Sequence, residues 1–148
     1  MVISTGSTFF EIAPTGATGT AAATTLFSNN SNFSSNKWEL GGAGRLKYIG
    51  STTEFFHVAL SLSFATGGSN RTVAIQLFKN GVGIAQTIFT IRMQSSGNQM
   101  ATAFHKLVEL STNDYLSMWI EDTGATGFSQ TITFNNINLV AMCCCLST

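Results

Sequence analysis

The stretch Glu54–Phe64, with the sequence EFFHVALSLSF, decides the fold of this chain. Its residues alternate between two sets. One set is large and apolar: Phe56, Val58, Leu60, Leu62 and Phe64. The other set is mixed: Phe55, His57, Ala59, Ser61 and Ser63. Successive side chains of a strand point to opposite faces, so this period of two predicts a long strand with one face in a core.

The residues that follow Phe64 predict a hairpin. Thr72–Lys79 alternates in the same way, with Val73, Ile75 and Leu77 expected to point inward. Asn80-Gly81 then supplies the residue pair that a tight two-residue turn favours, since a type I′ turn needs positive φ at both positions. Val82–Met93 is the expected returning strand.

The remainder of the chain also favours strands. Gln99–Leu110 is strand-like, and a turn at Asn113-Asp114 leads into Tyr115–Glu121. A loop over Asp122–Ser129 precedes a last strand near Thr131–Met142. No segment shows helical periodicity with caps. Eight to ten short strands predict an all-β fold, an antiparallel β-sandwich of the jelly-roll type.

Residues 1–36 differ in composition from residues 37–148. They are rich in Ser, Thr, Gly, Ala and Asn, which is typical of an extended arm or linker. We therefore expect an N-terminal arm, 1–36, and a jelly-roll domain, 37–148. A few apolar residues are the expected anchors of the arm on a neighbour: Phe9, Phe10, Ile12, Leu26, Phe27 and Phe33.

Charge is scarce in this chain. Among 148 residues, seven are Lys or Arg and seven are Asp or Glu, so the formal net charge is zero. Without a basic excess to neutralise phosphates, a nucleic-acid partner is not expected. Uncharged surfaces tend to associate, which indicates burial in an assembly. Alternatively, the composition is that of a Ser/Thr-rich β protein that does not assemble.

The N-terminal residues lack the basic and apolar regions of a secretory signal, and no apolar run is long enough to span a membrane. We therefore expect synthesis in a cytoplasm and no membrane partner. Cys143, Cys144 and Cys145 are consecutive, and neighbouring strand residues cannot converge on one zinc ion. Reduced thiols are expected, with inter-subunit disulfides or acylation as alternatives.

Residues that carry chemistry are few. His57 and His105 are the only histidines, and their spacing supplies no catalytic partner or further metal ligand, so we interpret them as surface or interface residues. Asp114, Glu121 and Asp122 offer oxygen ligands to calcium, or are solvated charges at strand ends. The sequence predicts no enzyme, no cofactor and no metal site.

From about Leu40 to Met142, the pattern resembles the trimeric jelly rolls of tumour necrosis factor-like and complement globular-head-like domains. Similar domains occur in bacteriophage and other virion proteins. The residues that carry the resemblance are Phe55–Val58, Val73–Gly81, Leu107–Leu110, Asp114, the alternating Leu116, Met118 and Ile120, and Ile132–Phe134.

The resemblance implies a homotrimer. In that family, the strand after the Asp turn lies along the trimer axis, which makes Tyr115, Ser117 and Trp119 the expected subunit interface. Phe55 and Phe78 are weaker candidates for the same interface. Alternatively, Tyr115 and Trp119 cover their own sheet under a loop.

We therefore expect a structural virion protein, a homotrimer that decorates or cements a capsid through its arm and whose partner is the major capsid protein or another virion protein. The alternative is the receptor-binding tip of a tail or head fibre. It would bind a host-surface glycan or protein through the loops Gly67–Arg71, Ser95–Asn98 and Asp122–Ser129.

Overall fold

A computed structural model of the chain describes residues 2–4, 10–11, 37–41, 45–122 and 129–144. These residues form eleven strands and no helix. In chain order, the strands are β1 Val2–Ser4, β2 Phe10–Glu11, β3 Trp38–Gly41, β4 Arg45–Tyr48, β5 Glu54–Thr66, β6 Arg71–Lys79, β7 Val82–Gly83, β8 Phe89–Met93, β9 Gln99–Leu110, β10 Tyr115–Asp122 and β11 Ser129–Cys143. Within this part of the chain, no helix is long and apolar enough to cross a membrane.

The strands form two antiparallel sheets. The four-stranded sheet has the order β1-β11-β5-β9. The seven-stranded sheet has the order β3-β4-β10-β6-β7, with β2 paired to β10 and β8 paired to β6. Strands distant in sequence are neighbours in both sheets, as in a jelly roll. The predicted fold class, an antiparallel β-sandwich of the jelly-roll type, is confirmed.

The alternation in Glu54–Phe64 places the core as expected. The five even-numbered residues, from Phe56 to Phe64, are buried between the sheets. Val73, Ile75 and Leu77 of β6 are fully buried opposite them, together with Leu116 and Ile120 of β10, so both sheets contribute one apolar face to a shared core. The main cluster of the core consists of Leu60, Leu62, Phe64, Val73, Ile75, Met93, Met118, Ile120 and Ile132.

An aromatic group fills one end of the core. The rings of Trp38, Tyr48 and Phe56 contact one another edge to face, with centroids 4.9 to 5.5 Å apart. The Tyr48 hydroxyl donates a hydrogen bond of 2.8 Å to the Thr52 carbonyl, so the buried ring leaves no polar atom unpaired. This packing places β3 within the sandwich.

The predicted hairpin is confirmed at its turn and corrected beyond it. Asn80 and Gly81 have φ angles of 52° and 78°, as a type I′ turn requires. The single returning strand is wrong, because the chain leaves the sheet between β7 and β8. There the buried Thr87 hydroxyl donates a 2.7 Å hydrogen bond to the Ile84 carbonyl, which replaces ladder bonds.

The turn between β9 and β10 is held by Asp114. Its carboxylate lies 2.8 Å from the Lys79 ammonium and accepts hydrogen bonds from the Asn80 amide at 2.6 Å and the Ser111 backbone N–H at 2.7 Å. The Asn80 side-chain oxygen in turn accepts the Tyr115 N–H at 2.9 Å. Asp114 therefore ties the β9–β10 turn to the β6–β7 hairpin.

Two short pieces of residues 1–36 lie within the described part of the chain. Val2–Ser4 pairs with Ser129–Thr131 of the four-stranded sheet, and Phe10–Glu11 pairs with Trp119–Ile120 of the seven-stranded sheet. The expected anchor Phe10 thus lies in a strand. The other expected anchors, Phe9, Ile12, Leu26, Phe27 and Phe33, lie outside the described residues, and the division of the chain at residue 36 stays a prediction.

The cysteines lie at the end of the last strand, and Cys143 is the final residue of β11. Cys143 is disulfide-bonded, so the expectation of a reduced thiol is wrong at that position. Cys144 is free and exposed. Cys145 lies outside the described residues.

Candidate functional site

The candidate functional site is the outer face of the four-stranded sheet. The register of β5 with β9 and β11 places outward side chains in rows across three strands. From one end, these rows are Met142–His57–Leu107, Val140–Ala59–His105, Asn138–Ser61–Ala103 and Asn136–Ser63–Ala101. Phe55 and Glu109 form a pair beyond the first row.

Large apolar side chains concentrate at one end of this face. Phe55 is 56% exposed, Leu107 59% and Met142 54%, and Val140 lies beside them with 38% exposed. Glu109 is the only Asp, Glu, Lys or Arg at the outward positions of β5, β9 and β11 in the described residues. We call this region, Phe55, Leu107, Val140 and Met142, the apolar face. Contiguous exposed apolar groups of this kind mark interaction surfaces.

A groove adjoins the apolar face, with a volume of about 410 Å³. Small side chains, Ala59, Ser61 and Ala103, line its floor. Larger groups line it at the sides, namely His57, His105, Asn138 and Val140. The groove exists because the outward positions of β5 and β9 carry small residues where their neighbours carry large ones. Its imidazoles, amide and hydroxyl can donate and accept hydrogen bonds without a formal charge of Asp, Glu, Lys or Arg.

The two histidines of the chain meet at this groove. His57 pairs with Leu107 and His105 pairs with Ala59, so the histidines are diagonal neighbours on β5 and β9. Their ring centroids are 5.3 Å apart and their planes are tilted by 45°. This position agrees with the expectation that they lie at the surface. Their proximity was not predicted, because 48 residues separate them in the sequence.

The expected interface residues lie on the other sheet. Trp119 stacks on Phe78 with centroids 4.7 Å apart, and its indole N–H donates a 2.9 Å hydrogen bond to the Ser117 hydroxyl. Ser117 is only 1% exposed. The Arg45 guanidinium lies 4.6 Å from the centre of the Tyr115 ring. Tyr115 and Trp119 therefore pack on their own sheet and are half-buried there.

The structure does not bring all five expected interface residues together. Phe78 joins Tyr115, Ser117 and Trp119 on the outer face of the seven-stranded sheet, since Ser117 and Phe78 are a register pair. Phe55 lies on the outer face of the opposite sheet. A single flat interface cannot contain both groups. Sequence reasoning did not single out Leu107, Val140 and Met142, although the outward alternation of β9 and β11 was the signal for them.

Two charged groups outside the groove, Asp114 and Glu54, have a shifted pKa with a clear physical cause. Burial alone would raise the pKa of Asp114, but hydrogen bonds from Lys79, the Ser111 N–H and Asn80 outweigh it and hold that pKa below its usual value. Lys37 donates to both oxygens of Glu54 at 2.7 and 2.8 Å. This hydrogen bond lowers the pKa of Glu54 and raises the pKa of Lys37.

The calcium alternative finds no support in the part of the chain that is described. The Asp114 carboxylate is already engaged with Lys79, Asn80 and Ser111. Among the described residues, no three His, Cys, Asp or Glu side chains are grouped so that they could hold a metal ion.

No family model matches the chain, and no curated protein matches it in sequence. Two solved structures show a similar outline. The module "CBM35 from Cellvibrio japonicus Abf62" has 14% identity and a TM-score of 0.33, with 93% of this chain and 96% of that chain covered. A Xyl-CBM35 in complex with a disaccharide that contains glucuronic acid has 14% identity and a TM-score of 0.31, with 93% and 95% covered.

The strand order and the buried residues define the fold. The resemblance to tumour necrosis factor-like and virion domains stays a prediction.

Proposed function

We propose that this protein is a structural subunit that assembles with copies of itself through the apolar face, as a homotrimer. The observation that carries the proposal is the exposure of Phe55, Leu107 and Met142 around His57, on a sheet face whose described residues include one Asp, Glu, Lys or Arg, Glu109. Covering such side chains removes apolar surface from water, which is the dominant favourable contribution to most protein association.

A second copy of this chain is a better partner for the apolar face than a protein whose binding surface is charged. The face offers almost no charge for such a partner to match, whereas a second uncharged face leaves no charge buried without a partner. Strand spacing and rise give the whole outer face of the four-stranded sheet an area of roughly 600–800 Å², near the 800 Å² or so that each partner buries in a standard interface. A stable assembly through the apolar face therefore also covers the adjoining groove. We propose three copies because the family that the sequence resembles forms homotrimers.

The outer face of the seven-stranded sheet is less apolar, which supports the apolar face of the four-stranded sheet as the subunit interface. The outer face of the seven-stranded sheet carries Lys47 and Glu39, whose charged groups lie 3.6 Å apart, and Arg45 over the Tyr115 ring. Its aromatic groups already contact one another. The aromatic group at Tyr115 and Trp119 remains the second candidate for the subunit contact.

Methionine oxidation tests which face is covered. Dilute peroxide adds one oxygen to accessible methionine sulfur, and mass spectrometry of peptides reports the rate for each position. In the assembled protein, Met142 should oxidise as slowly as the buried Met93. A Leu107→Asp variant, which places a charge in the apolar face, should oxidise rapidly at Met142 and remain slow at Met93. Equal rapid oxidation of Met142 in the native chain and in the variant would exclude the apolar face as the interface.

The expected setting, decoration of a capsid, is part of the proposal. The trimer would attach to the viral shell through the apolar residues of its arm. Cosedimentation with shells should fall for a full-length Phe27→Ser and Phe33→Ser double variant and remain for a Ser28→Ala control. Retention of the double variant would remove the arm from attachment.

Glycan binding at the groove is the second candidate function. The observation in its favour is the set of uncharged hydrogen-bonding groups around the groove, with Asn138 and Ser61 beside the two histidines. Titration with neutral oligosaccharides should then show binding by the native chain and loss of it in Asn138→Ala. Assembly through the apolar face and glycan binding compete for one surface, so saturation with glycan should shift the oligomer toward monomer.

A further inference from the structure

His57 and His105 form a pair on adjacent strands with no internal partner. Their register positions are diagonal, and their ring centroids are 5.3 Å apart. Within the described residues, neither imidazole makes a hydrogen bond or an ion pair. The pair therefore presents ring nitrogens that no other side chain of this part of the chain uses.

The surroundings of the pair leave room for a ligand. Ala59 lies between His57 and Ser61 on β5. Ala103 lies two residues before His105 on β9 and also lines the groove. Asn138 and Ser61 bring oxygen atoms to the same groove. Small neighbours keep both rings accessible, and the groove already forms a concave surface around them.

We propose that His57 and His105 together chelate one divalent late transition metal ion, of the class of zinc, nickel or copper. Neutral imidazole is a preferred ligand of these ions. With zinc–nitrogen bonds of about 2.0–2.1 Å and a tetrahedral angle, two coordinating imidazoles place their ring centroids roughly 5 Å apart. The observed centroid separation of 5.3 Å matches this arrangement, and rotation of the side chains can direct one nitrogen of each ring at the ion.

The site has two protein ligands and open positions. No Asp, Glu or Cys joins the pair in the described residues. Water completes the coordination of the ion, in a groove that Asn138 and Ser61 also line. Such a site is an exchangeable one, unlike a closed structural zinc site with four protein ligands. The proposal concerns one chain and does not rest on the proposed assembly.

Nickel and zinc titration of the untagged, full-length chain tests the proposal. His57 and His105 are the only histidines in the sequence, so binding of the native chain cannot come from another imidazole. Cys144 is a free, exposed thiol and a competing ligand, so every sample carries Cys144→Ser. Calorimetry should show saturable binding of Ni²⁺ and Zn²⁺, and the chain should be retained on a Ni²⁺-loaded chelating resin.

The variants distinguish chelation from binding to a single ring. His57→Ala and His105→Ala should each lower the affinity at least about tenfold, since loss of even an outer-shell partner costs 10–100-fold. Asn136→Ala, an exposed residue of the same face, should leave the affinity unchanged. Circular dichroism of each variant reports the fold.

Light scattering of the same samples reports the oligomeric state. If the chain is a trimer, the assembly covers the groove, so the titration is repeated on a Leu107→Ser variant, which removes apolar surface without adding a charged ligand. Two results would overturn the site: no binding by the folded monomer, or a loss of affinity in only one of the two histidine variants. A native chain that is monomeric and binds metal would contradict only the proposed assembly, and a trimer whose dissociated variant binds no metal would contradict only the chelate.

Discussion

Replacement of Asp114 by Asn should destabilise the protein, and the loss should depend on pH. The Asp114 side chain is only 15% exposed and accepts three contacts, from Lys79, Asn80 and the Ser111 N–H. Asparagine retains one carbonyl acceptor, but it loses the charge and turns an N–H group toward a donor. We expect the change to remove a connection between the β9–β10 turn and the β6–β7 hairpin.

The magnitude follows from the kind of contacts that are lost. Hydrogen bonds to charged groups contribute about 1.5–3 kcal/mol each when buried, and exposed ion pairs about 0.2–1 kcal/mol. Since Lys79 is 32% exposed, the expected loss for Asp114→Asn is about 2 kcal/mol at neutral pH, between these limits. With a slope of about 2 kcal/mol per molar urea, the midpoint of unfolding falls by roughly 1 M.

The sign of the pH dependence follows from the lowered pKa of Asp114 in the folded state. A carboxylate of lowered pKa contributes its stability fully above the pKa of the unfolded chain, about 3.9, and loses it as pH falls through the folded value. The difference between native and variant protein should therefore be constant from pH 7 to about 5 and shrink below about 4.

Urea unfolding followed by tryptophan fluorescence measures this difference. Glu39→Gln is the matched control, because Glu39 is an exposed carboxylate on β3 whose 3.6 Å pair with Lys47 is itself exposed. The control should change stability by less than about 0.5 kcal/mol. Equal stability of Asp114→Asn and native protein at pH 7, or a loss that persists unchanged below the folded pKa, would refute this account of the turn.

Three further predictions concern the face, the core and the hairpin. Leu107→Asp should convert the assembled protein to monomer by sedimentation velocity while its circular dichroism stays that of the native fold, whereas Tyr115→Asp should not dissociate it; the reverse pattern would place the contact on the seven-stranded sheet. Phe56→Ala should lower the free energy of unfolding by about 3–5 kcal/mol, because the fully buried ring contacts Trp38 and Tyr48, and a loss under about 1 kcal/mol would contradict that packing. Gly81→Ala should cost about 1–2 kcal/mol in the same assay, because Gly81 has a φ of 78°.

The sequence was sufficient for the strands whose pattern reflects burial. Alternation in Glu54–Phe64 requires an apolar core on one side, and the Asn80-Gly81 pair requires positive φ, so both were predictable from local residues. The break between β7 and β8 was not predictable, because it depends on the buried Thr87 hydroxyl bonding to the Ile84 carbonyl in place of the ladder. That exchange has no signature in the apolar pattern.

The candidate site was harder to predict than the fold, because it is created by register. Whether His57 and His105 meet depends on how β5 aligns with β9, and a shift by one residue would turn one ring to the other face. The same is true of Leu107 and Met142, which flank His57 from different strands. The expectation of one aromatic interface grouped Phe55 with Phe78, although both are outward residues of different sheets.

Light scattering of the untagged, full-length chain in solution tests the central claim most directly. The mass of one chain is 15.8 kDa. Assembly through the apolar face predicts a single species of three times that mass, which persists on dilution and is lost in Leu107→Asp. A stable monomer at all concentrations, with Phe55, Leu107 and Met142 left in water, would contradict the account.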